Sequence, residues 1–342
     1  MGHSADSNDA YVHSMSRLIK ATFNKNSVAA PLPAKSERIE QLLSKHTFDV
    51  LHVQMPYSPL LAGKVIKAAP ATTAVVGTFH ILPFGRVNMA ANRLLARALQ
   101  PTLKRFDEIV AVSPAAQTFA RDVYNISSDV VPNAIDARRF LTKRSLKAEP
   151  NCVRIVFLGR LVERKGVKQL LAALAQLQSK HPKVASQIEC VIGGTGKLAP
   201  ALKQYAAMHK IDHLVHFIGF VPEADKAALL ASADIAVFPS LGGESFGIVL
   251  LEAMASGAGV VVGGDNPGYR SVLGERPELL CDPRDTAALA NTLFRMLTDN
   301  QLRRDIHLWQ QRAVRQYDIA QVGPKLLSYY QSATDKRQRG NA

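Results

Sequence analysis

Residues 242–268, which read GGESFGIVLLEAMASGAGVVVGGDNPG, restrict the possible folds of this chain more than any other stretch. A glycine-rich loop leads into an apolar segment with helical periodicity, which breaks at Gly257 before the β-branched run at residues 260–262. A short apolar run at residues 234–240 precedes the loop. The pattern predicts strand, loop, helix and strand, with the loop at a carboxyl end of the strands. Ligands of open α/β sheets bind at such ends.

The same alternation of strand-like and helix-like segments extends over most of the chain, which predicts an α/β fold with parallel sheets. Further strands are predicted at residues 48–54, 72–80, 108–113, 129–136, 153–159, 188–194, 214–219 and 279–281. Helices are predicted at residues 36–46, 60–69, 92–104, 115–124, 167–180, 198–209, 223–232 and 285–298, with helical periodicity over 301–330. No strand is predicted in the first 47 residues, and the tail at residues 335–342 is expected to be frayed.

One break in this alternation divides the chain. Residues 141–151 are charged and lack periodicity, so they are interpreted as a linker. The predicted domains are residues 1–140 and 152–315, and residues 316–342 are predicted to be a C-terminal helix that returns towards the first domain. A chain of 342 residues is long enough for two ordinary cores.

The chain carries a formal charge of +14 at pH 7, which predicts anionic partners. Nucleic acid, an anionic membrane surface and phosphorylated ligands are all compatible with that charge. Residues 86–105 contain five cations and no acid, which fits either a solvated helix face or a surface that meets anionic lipid. Aromatic residues make up 6% of the chain and are not interleaved with the cations, which disfavours nucleic acid.

The three cysteines, Cys152, Cys190 and Cys281, lie far apart in the sequence. Their spacing argues against a disulfide framework and against a zinc site, and all three are expected to be core residues in a reducing compartment. The first residues lack the apolar core of a signal peptide, and no run of eighteen apolar residues occurs. A cytoplasmic protein is therefore predicted.

Two carboxylates, Glu244 and Glu252, flank the start of the predicted helix. If both were helical they would stand roughly 12 Å apart along the axis. The paired carboxylates of glycosidases need about 5–9.5 Å, so a hydrolytic pair is disfavoured. The two could instead hold separate parts of one long ligand, such as a sugar and a ribose. The glycines beside Glu244 and the amino end of the helix suit a phosphate or diphosphate, although a simple tight turn would have the same glycines.

A second loop, GRLVERKG at residues 159–166, follows a predicted buried strand. It places Arg160, Arg164 and Lys165 at another carboxyl end of the same sheet, where three cations would suit a diphosphate. Cations are common in the loops of so basic a chain, but this position favours a ligand role.

Two further segments end predicted strands. The run GGTGK at residues 193–197 lacks the glycine spacing and the Ser or Thr of a Walker A loop, so it is interpreted as a backbone approach to a base or ribose through Gly194. The run GTFH places His80 at the end of a strand in the first domain, where it is either a structural histidine or a contact to a sugar.

In combination, these motifs carry a resemblance. The loop G-R-x5-G at residues 159–166, then GGTGK, then SADIAVFPS, then ESFGIVLLEAMASG with its E-x7-E resemble the donor-binding half of family 4 retaining glycosyltransferases. The resemblance covers residues 48–330. With VLHVQMPYSP and GTFH, it is closest to the phosphatidylinositol α-mannosyltransferase group. It implies the GT-B fold, in which two Rossmann-like domains with parallel sheets face each other across a cleft.

The resemblance also implies an activity and a set of site residues. The chain would move an α-hexosyl group, mannosyl or glucosyl, from a nucleotide sugar such as GDP-mannose to a lipid-linked or other glycan acceptor. It would need no metal and no cofactor, since the nucleotide sugar is a substrate. The catalytic residues would be Arg160, Lys165, Glu244 and His80. The donor-binding residues would be Gly159, Arg164, Gly194, Gly243, Ser245, Phe246, Gly247, Ile248 and Glu252. The partners would be the donor, the acceptor and an anionic membrane contacted from its inner face, without nucleic acid.

The sequence departs from this family at its beginning. Members start with a strand and a glycine-rich loop that reaches the diphosphate, and this chain is expected to lack both. The alternative is therefore a non-catalytic protein or partner subunit that binds a nucleotide sugar. A GT-B epimerase or a phosphorylase is a further alternative, although neither fits GGESFG together with Arg160 and Lys165 as well.

Overall fold

A computed structural model describes residues 13, 15, 18–23, 26–31, 34–54, 56, 58, 61–83, 86–141 and 152–340. The chain divides into two compact units. The first contains the residues as far as Val131 and those from Pro324 onwards, and the second is Pro132–Gly323. Of the predicted linker, residues 141–151, only Leu141 lies within the described residues.

The first unit is built on a parallel sheet. Its strands are β1 (Leu18–Phe23), β2 (Asn26–Pro31), β3 (Val50–Val53), β4 (Ala74–Phe79), β5 (Glu108–Ala111) and β6 (Asp129–Val130). Its helices are α1 (Ser36–Lys45), α2 (Ala62–Ala68), α3 (Arg86–Leu103) and α4 (Pro114–Tyr124). The last four strands form a sheet in the order β3-β4-β5-β6, and every pair is parallel. All six residues of β4 are buried, as expected of an inner strand in a covered parallel sheet.

The prediction that the first 47 residues contain no strand is wrong. β1 and β2 pair antiparallel, from Leu18 opposite Pro31 to Phe23 opposite Asn26. Apolar residues alternate along β1 at Ile19, Ala21 and Phe23, and this period of two is the signal that identifies a strand. The prediction that the first domain lacks an amino-terminal strand and glycine-rich loop is a separate one and stays a prediction.

The second unit contains the larger sheet. Its strands are β7 (Val153–Leu158), β8 (Ile188–Gly193), β9 (Val215–Gly219), β10 (Ile235–Phe238), β11 (Val260–Gly264) and β12 (Leu280–Cys281). Its helices are α5 (Val167–Lys180), α6 (Pro182–Ala185), α7 (Ala199–Met208), α8 (Glu223–Ala231), α9 (Ile248–Ala255), α10 (Pro267–Leu273), α11 (Thr286–Thr298) and α12 (Asn300–Ala313), followed by α13 (Ile319–Gly340), which continues into the first unit. The sheet order is β12-β11-β10-β7-β8-β9, again with parallel pairs. Because β7 and β10 are parallel neighbours, the loops after them open at one edge of one sheet, as predicted.

Helix α10 was not predicted, although its amino end has an ordinary signal. The Asn266 side chain accepts a hydrogen bond from the backbone N–H of Tyr269, and Pro267 occupies the first turn. Asparagine as the cap with proline after it is a common start of a helix.

The prediction of a frayed tail is wrong as far as residue 340, because α13 extends to Gly340. Its buried Ala333 packs against Ala74 and Val76 of β4. Near its end, the Arg337 Nε lies 2.8 Å from Oδ1 of Asp107, and the Lys336 Nζ lies 2.7 Å from Oε1 of Glu108. Apolar packing and these two ion pairs fix the end of the helix against the start of β5.

Replacing Arg337 with alanine is expected to lower the stability of the protein by about 1.5–3 kcal/mol, the usual contribution of a hydrogen bond to a charged group. The Asp107 side chain is 10% exposed and would lose its strongest partner. Arg339→Ala is the matched control, because Arg339 is exposed on the same turn of the helix. Urea unfolding should separate the two variants, and equal midpoints would show that the Arg337 ion pair does not hold the tail.

Two predictions about individual side chains need correction. Cys190 and Cys281 are buried, but Cys152 is only partly buried because it precedes β7 rather than lying within it. Arg105 does not belong to a solvated basic face, since its guanidinium donates to the backbone oxygens of Pro70 (2.9 Å) and Thr73 (2.8 Å). Of the other predicted cations of this stretch, Arg93, Arg97 and Lys104 are exposed, and the side chain of Arg86 lies outside the described part.

Candidate active site

Three loops meet at the carboxyl ends of β7, β8 and β10. The loop after β7 carries Arg160 and the short 3-10 helix Glu163–Lys165, the loop after β8 carries Gly194, and the loop after β10 carries residues 241–247. Their backbones are bonded directly to one another: the N–H of Leu161 donates to the oxygen of Thr195 (2.9 Å), and the N–H of Leu241 donates to the oxygen of Arg164 (2.8 Å). The predicted convergence of these loops is therefore confirmed.

A buried carboxylate occupies the centre of this convergence. Oε1 of Glu244 accepts hydrogen bonds from Arg164 (2.6 Å), Lys165 (2.9 Å) and the hydroxyl of Ser240 (2.6 Å). The Glu244 side chain is 13% exposed. Burial by itself raises the pKa of Glu244, but the charges of Lys165 and Arg164 outweigh it and hold the pKa below its ordinary value. The carboxylate is therefore ionised at neutral pH.

Arg164 lies deeper than the sequence indicates. Its side chain is 6% exposed, and besides Glu244 it donates to the backbone oxygens of Gly242 (3.3 Å) and Gly243 (3.2 Å). Its own backbone oxygen accepts from the Ser240 hydroxyl (3.0 Å). These contacts join the loop after β7 to the glycine-rich loop after β10 through a buried side chain. A direct contact of Arg164 with a donor stays a prediction.

Arg160 and Lys165 are the more accessible cations of the loop. Arg160 is exposed, and Lys165 keeps 19% of its side chain exposed. Burial and the charge of Arg164 lower the pKa of Arg160, while Glu244 opposes that change, so the Arg160 guanidinium lies within the electrostatic field of both groups. Arg160 and Lys165 are therefore accessible to solvent, whereas the ion pair of Arg164 with Glu244 is buried.

Close backbone contact explains one of the predicted glycines. A Cβ on Gly194 would lie 1.8 Å from the backbone oxygen of Gly159, and the φ of Gly194 is +133°. Glycine at position 194 therefore lets the ends of β7 and β8 touch. That requirement is structural, and a contact of Gly194 with a base or ribose stays a prediction.

The remaining predicted donor-binding residues lie at the start of α9. Gly247 directly precedes the helix, Ile248 begins it with a side chain 44% exposed, and Gly243 and Ser245 are partly exposed. The Phe246 side chain is buried and packs edge-to-face on Tyr317, so only its backbone could meet a ligand. The amino end of α9 and its positive dipole therefore lie beside Glu244.

Glu252 has a partner that sequence reasoning missed. Its Oε1 accepts a hydrogen bond from the Lys226 Nζ (2.9 Å), which also bonds to Glu223 (2.9 Å) on the same helix. Burial raises the pKa of Glu252, and Lys226 opposes that change. A lysine three residues after a glutamate on α8 is an ordinary surface pair in sequence, so nothing in the pattern indicates that it also reaches α9.

Ser240 and the segment after β11 were also missed. Ser240 bonds to both Glu244 and the backbone of Arg164, and Asn266 donates to the oxygen of Gly264 (3.0 Å) and approaches that of Ser240 (3.4 Å). A Cβ on Gly268 would lie 2.2 Å from the backbone oxygen of Glu244. The GDNPG segment therefore supports the loop that carries Glu244.

His80 follows β4 in the first unit. Its Nε2 lies 2.6 Å from Oε1 of Gln54, the residue after β3. Burial, and then the nearby His52, lower the pKa of His80 to about 4. The ring is therefore neutral at physiological pH.

Over the described residues, no group of three or more His, Cys, Asp or Glu side chains is placed to hold a metal ion. None of the described helices has both the length and the apolar character needed to cross a membrane.

The ionised state of Glu244 predicts a pH-dependent stability. A carboxylate whose folded-state pKa lies below its ordinary value of about 4.3 stabilises the fold above that pH, and the contribution is lost as the pH falls through the folded-state pKa. Glu244→Gln is therefore expected to lower stability at pH 7 by about 1 kcal/mol, the difference between a charge-assisted and a neutral hydrogen bond. Thermal unfolding should show this deficit shrinking below about pH 4.

Asp225→Asn is the control for that experiment, because Asp225 is exposed on α8 in the same unit. It should change the melting temperature little at either pH. A deficit of Glu244→Gln that is constant from pH 7 to pH 3 would contradict the assignment of an ionised Glu244.

Comparisons with known proteins concern the family and the fold of the chain. The profile of the family "Glycosyltransferase Family 4" matches residues 3–139, and that of "Glycosyl transferases group 1" matches residues 139–308. A phosphatidyl-myo-inositol mannosyltransferase of Mycolicibacterium smegmatis is 32% identical over 305 residues, which are 88% of this chain and 76% of that protein.

Solved structures show the same fold. A glycosyltransferase from Rickettsia africae superposes with a TM-score of 0.69 at 18% identity, over 87% of this chain and 80% of that one. The Anabaena protein HepE, solved in complex with UDP, superposes with a TM-score of 0.71 at 20% identity, over 87% and 82% of the two chains. The chain thus has the GT-B fold, with parallel sheets of four and six strands. From this fold, the two family profiles and the mannosyltransferase relative, it follows that the chain belongs to glycosyltransferase family 4.

Proposed function

We propose that this protein is a retaining, metal-independent hexosyltransferase that moves a mannosyl or glucosyl group from a nucleotide sugar to a lipid-linked or other glycan acceptor. The observation that carries the proposal is that Lys165 bonds to the buried Glu244 and that Arg160 lies within the electrostatic field of Glu244, where the loops after three strands meet. In this proposal residues 152–315 bind the donor, residues 1–140 serve the acceptor side, and residues 316–342 are the returning helix. GDP-mannose is the first donor to test, because several relatives about 32% identical are named phosphatidyl-myo-inositol mannosyltransferases.

Arg160 and Lys165 would bind the donor diphosphate. The Lys165 ammonium has three donors, and its described hydrogen bond to Glu244 uses one of them, which leaves two for phosphate oxygens. As the bond between sugar and phosphate breaks, negative charge grows on the diphosphate, and cations already in place stabilise that charge. Donor binding is further supported by HepE, a protein of the same fold solved with UDP.

The two carboxylates would hold opposite parts of the donor. Glu244 would face the sugar, together with the backbone of Gly243, Ser245, Phe246, Gly247 and Ile248, and with Gly159, Arg164 and Gly194 nearby. Glu252 would accept hydrogen bonds from the ribose hydroxyls after giving up part of its contact with Lys226. His80 would contact the sugar as a neutral ring, which agrees with its low pKa.

A membrane-bound acceptor fits the charge of the first unit. Arg93, Arg97 and Lys104 are exposed on or just after α3, and each cation near an anionic bilayer contributes about 1 kcal/mol of binding. The protein would then act at the inner face of the membrane as a peripheral protein.

The proposal is tested by incubating the purified full chain with radiolabelled GDP-mannose or UDP-glucose and liposomes that contain phosphatidylinositol. We expect label in the lipid phase and stoichiometric release of nucleotide with one donor. Donor binding in a thermal-shift assay without transfer or nucleotide release would overturn the proposal in favour of a non-catalytic binding protein. A ligand at 100 times its Kd adds about 2.7 kcal/mol of stability, which makes such binding visible.

A further inference from the structure

We propose that Gln54 is a positioning residue that determines which ring nitrogen of His80 carries the proton. In this assignment His80 keeps its hydrogen on Nε2. The lone pair of Nδ1 then accepts a hydrogen bond from a hydroxyl group of the nucleotide sugar. The inference rests on the proposed function only for the identity of that hydroxyl partner.

The contact between the two side chains fixes the direction of the hydrogen bond. Nε2 of His80 lies 2.6 Å from Oε1 of Gln54. An amide oxygen can only accept, so Nε2 of His80 must be the donor. In a neutral imidazole the other nitrogen, Nδ1, then has no hydrogen and can only accept.

Topology holds the two residues together. Gln54 follows the last residue of β3 and His80 follows the last residue of β4, and these strands are parallel neighbours with Val53 opposite Gly77. Both side chains therefore leave the sheet at the same edge. Since both belong to the first unit, their contact depends on the packing of that unit alone.

A second histidine lies beside the NH2 end of the Gln54 amide. Nε2 of His52 lies 2.7 Å from Oγ1 of Thr78, and Nδ1 of His52 lies 2.7 Å from the hydroxyl oxygen of Tyr330. The Gln54 Nε2 lies 3.3 Å from both ring nitrogens of His52, so its NH2 group faces His52 and its oxygen faces His80. With the amide in this orientation, an oxygen and not an NH2 group meets His80.

The protonation state of His80 makes the choice of nitrogen matter. Burial lowers the pKa of His80 to about 4, so the ring carries one hydrogen at neutral pH. Over the residues that the structure describes, no hydrogen bond reaches Nδ1 of His80, which leaves that nitrogen available to a ligand. A ring with the opposite tautomer would present a donor at the same point, so the hydroxyl could bind there only as an acceptor.

The test combines a spectroscopic and a kinetic readout on the full chain. Long-range 1H–15N spectra report which histidine nitrogen carries hydrogen, and His80→Gln identifies the His80 signals by their loss. We expect the Nε2–H form in the wild type and in Gln54→Glu, which keeps an acceptor oxygen. We expect a mixture of tautomers in Gln54→Met, which keeps the length of the side chain and loses the acceptor. Gln41→Met, at an exposed position on α1, controls for effects of the substitution itself.

The kinetic readout uses the same variants with the donor that supports transfer. Gln54→Met should lower kcat by about 10-fold or more with little change in donor KM, because a misdirected contact costs orientation rather than binding. Gln54→Glu should restore most of the rate.

An Nδ1–H wild type, or a His80 signal that Gln54→Met leaves unchanged, would overturn the inference. Absence of transfer with every donor would count against the proposed function, whereas the tautomer result would stand by itself.

Discussion

Lys165→Ala is expected to lower kcat for sugar transfer by about 10²- to 10³-fold, the usual cost of removing one preorganised group that stabilises transition-state charge. The substitution removes an ammonium that has two donors besides the one bonded to Glu244, and these are proposed to bind the diphosphate. The fold should survive, because Arg164 and Ser240 still bond to Oε1 of Glu244 at 2.6 Å. The rate is measured from label transferred to liposomes at saturating donor.

The control for this variant is Lys180→Ala. Lys180 is exposed in the last turn of α5, and its replacement by alanine removes the same charge from the same unit. It should leave the rate within about twofold of the wild type, since screened surface charges act weakly at a distance. If Lys165→Ala transfers sugar as fast as Lys180→Ala, Lys165 does not bind the diphosphate.

Gly166→Ala is expected to destabilise the second unit by about 2–5 kcal/mol, from two independent causes. Its φ of +73° costs a residue with a Cβ about 1–2 kcal/mol. The new Cβ would also lie 1.8 Å from the backbone oxygen of Pro239, and forcing an atom into packed structure costs about 1–3 kcal/mol. Thermal unfolding measures the change.

Gly219→Ala separates these causes. The φ of Gly219 is +74°, and nothing lies within 4 Å of the position of its Cβ. This variant should therefore lose only the conformational contribution of about 1–2 kcal/mol. Each kcal/mol corresponds to about 2–4 °C in melting temperature for a unit of this size. Equal losses in the two variants would contradict a steric role for Gly166.

The α/β fold and most of its elements could be predicted from the sequence, because their signals are local. Helical periodicity from residue 167 to residue 180 coincides with α5, and the buried run that contains β4 follows from its unbroken apolar character. The convergence of Arg160, Lys165 and Glu244 was predictable too. Parallel strands bring their carboxyl ends to one edge whatever the distance along the chain.

The burial of individual side chains and their hydrogen-bond partners were harder to predict, because both depend on long-range packing. The sequence places Arg164 and Lys165 side by side, yet Arg164 is buried beneath the glycine-rich loop and Lys165 lies closer to solvent. The pair of Lys226 with Glu252 joins two helices, and that of Arg337 with Asp107 joins residues 230 apart in sequence. No pattern within a short window indicates such partners.

The prediction of no strand in the first 47 residues was wrong for a different reason, as the hairpin of β1 and β2 shows. Its alternating residues are few and partly small, so the segment resembles an extended link unless both strands are considered together. The prediction of a frayed tail was wrong because charged residues at a terminus usually remain solvated, whereas here two of them form ion pairs with Asp107 and Glu108.

The three loops of the second unit hold one another through backbone groups, with Gly194 against Gly159 and Gly268 against Glu244. A frame built in this way does not depend on an exposed side chain mounted on it, such as that of Ile248. Ile248 is therefore a position to diversify in a mutant library aimed at a new donor sugar, whereas Arg160 is kept because it is proposed to bind the diphosphate. Variants there should express as well as the parent protein, so that screening compares substrate preference rather than yield.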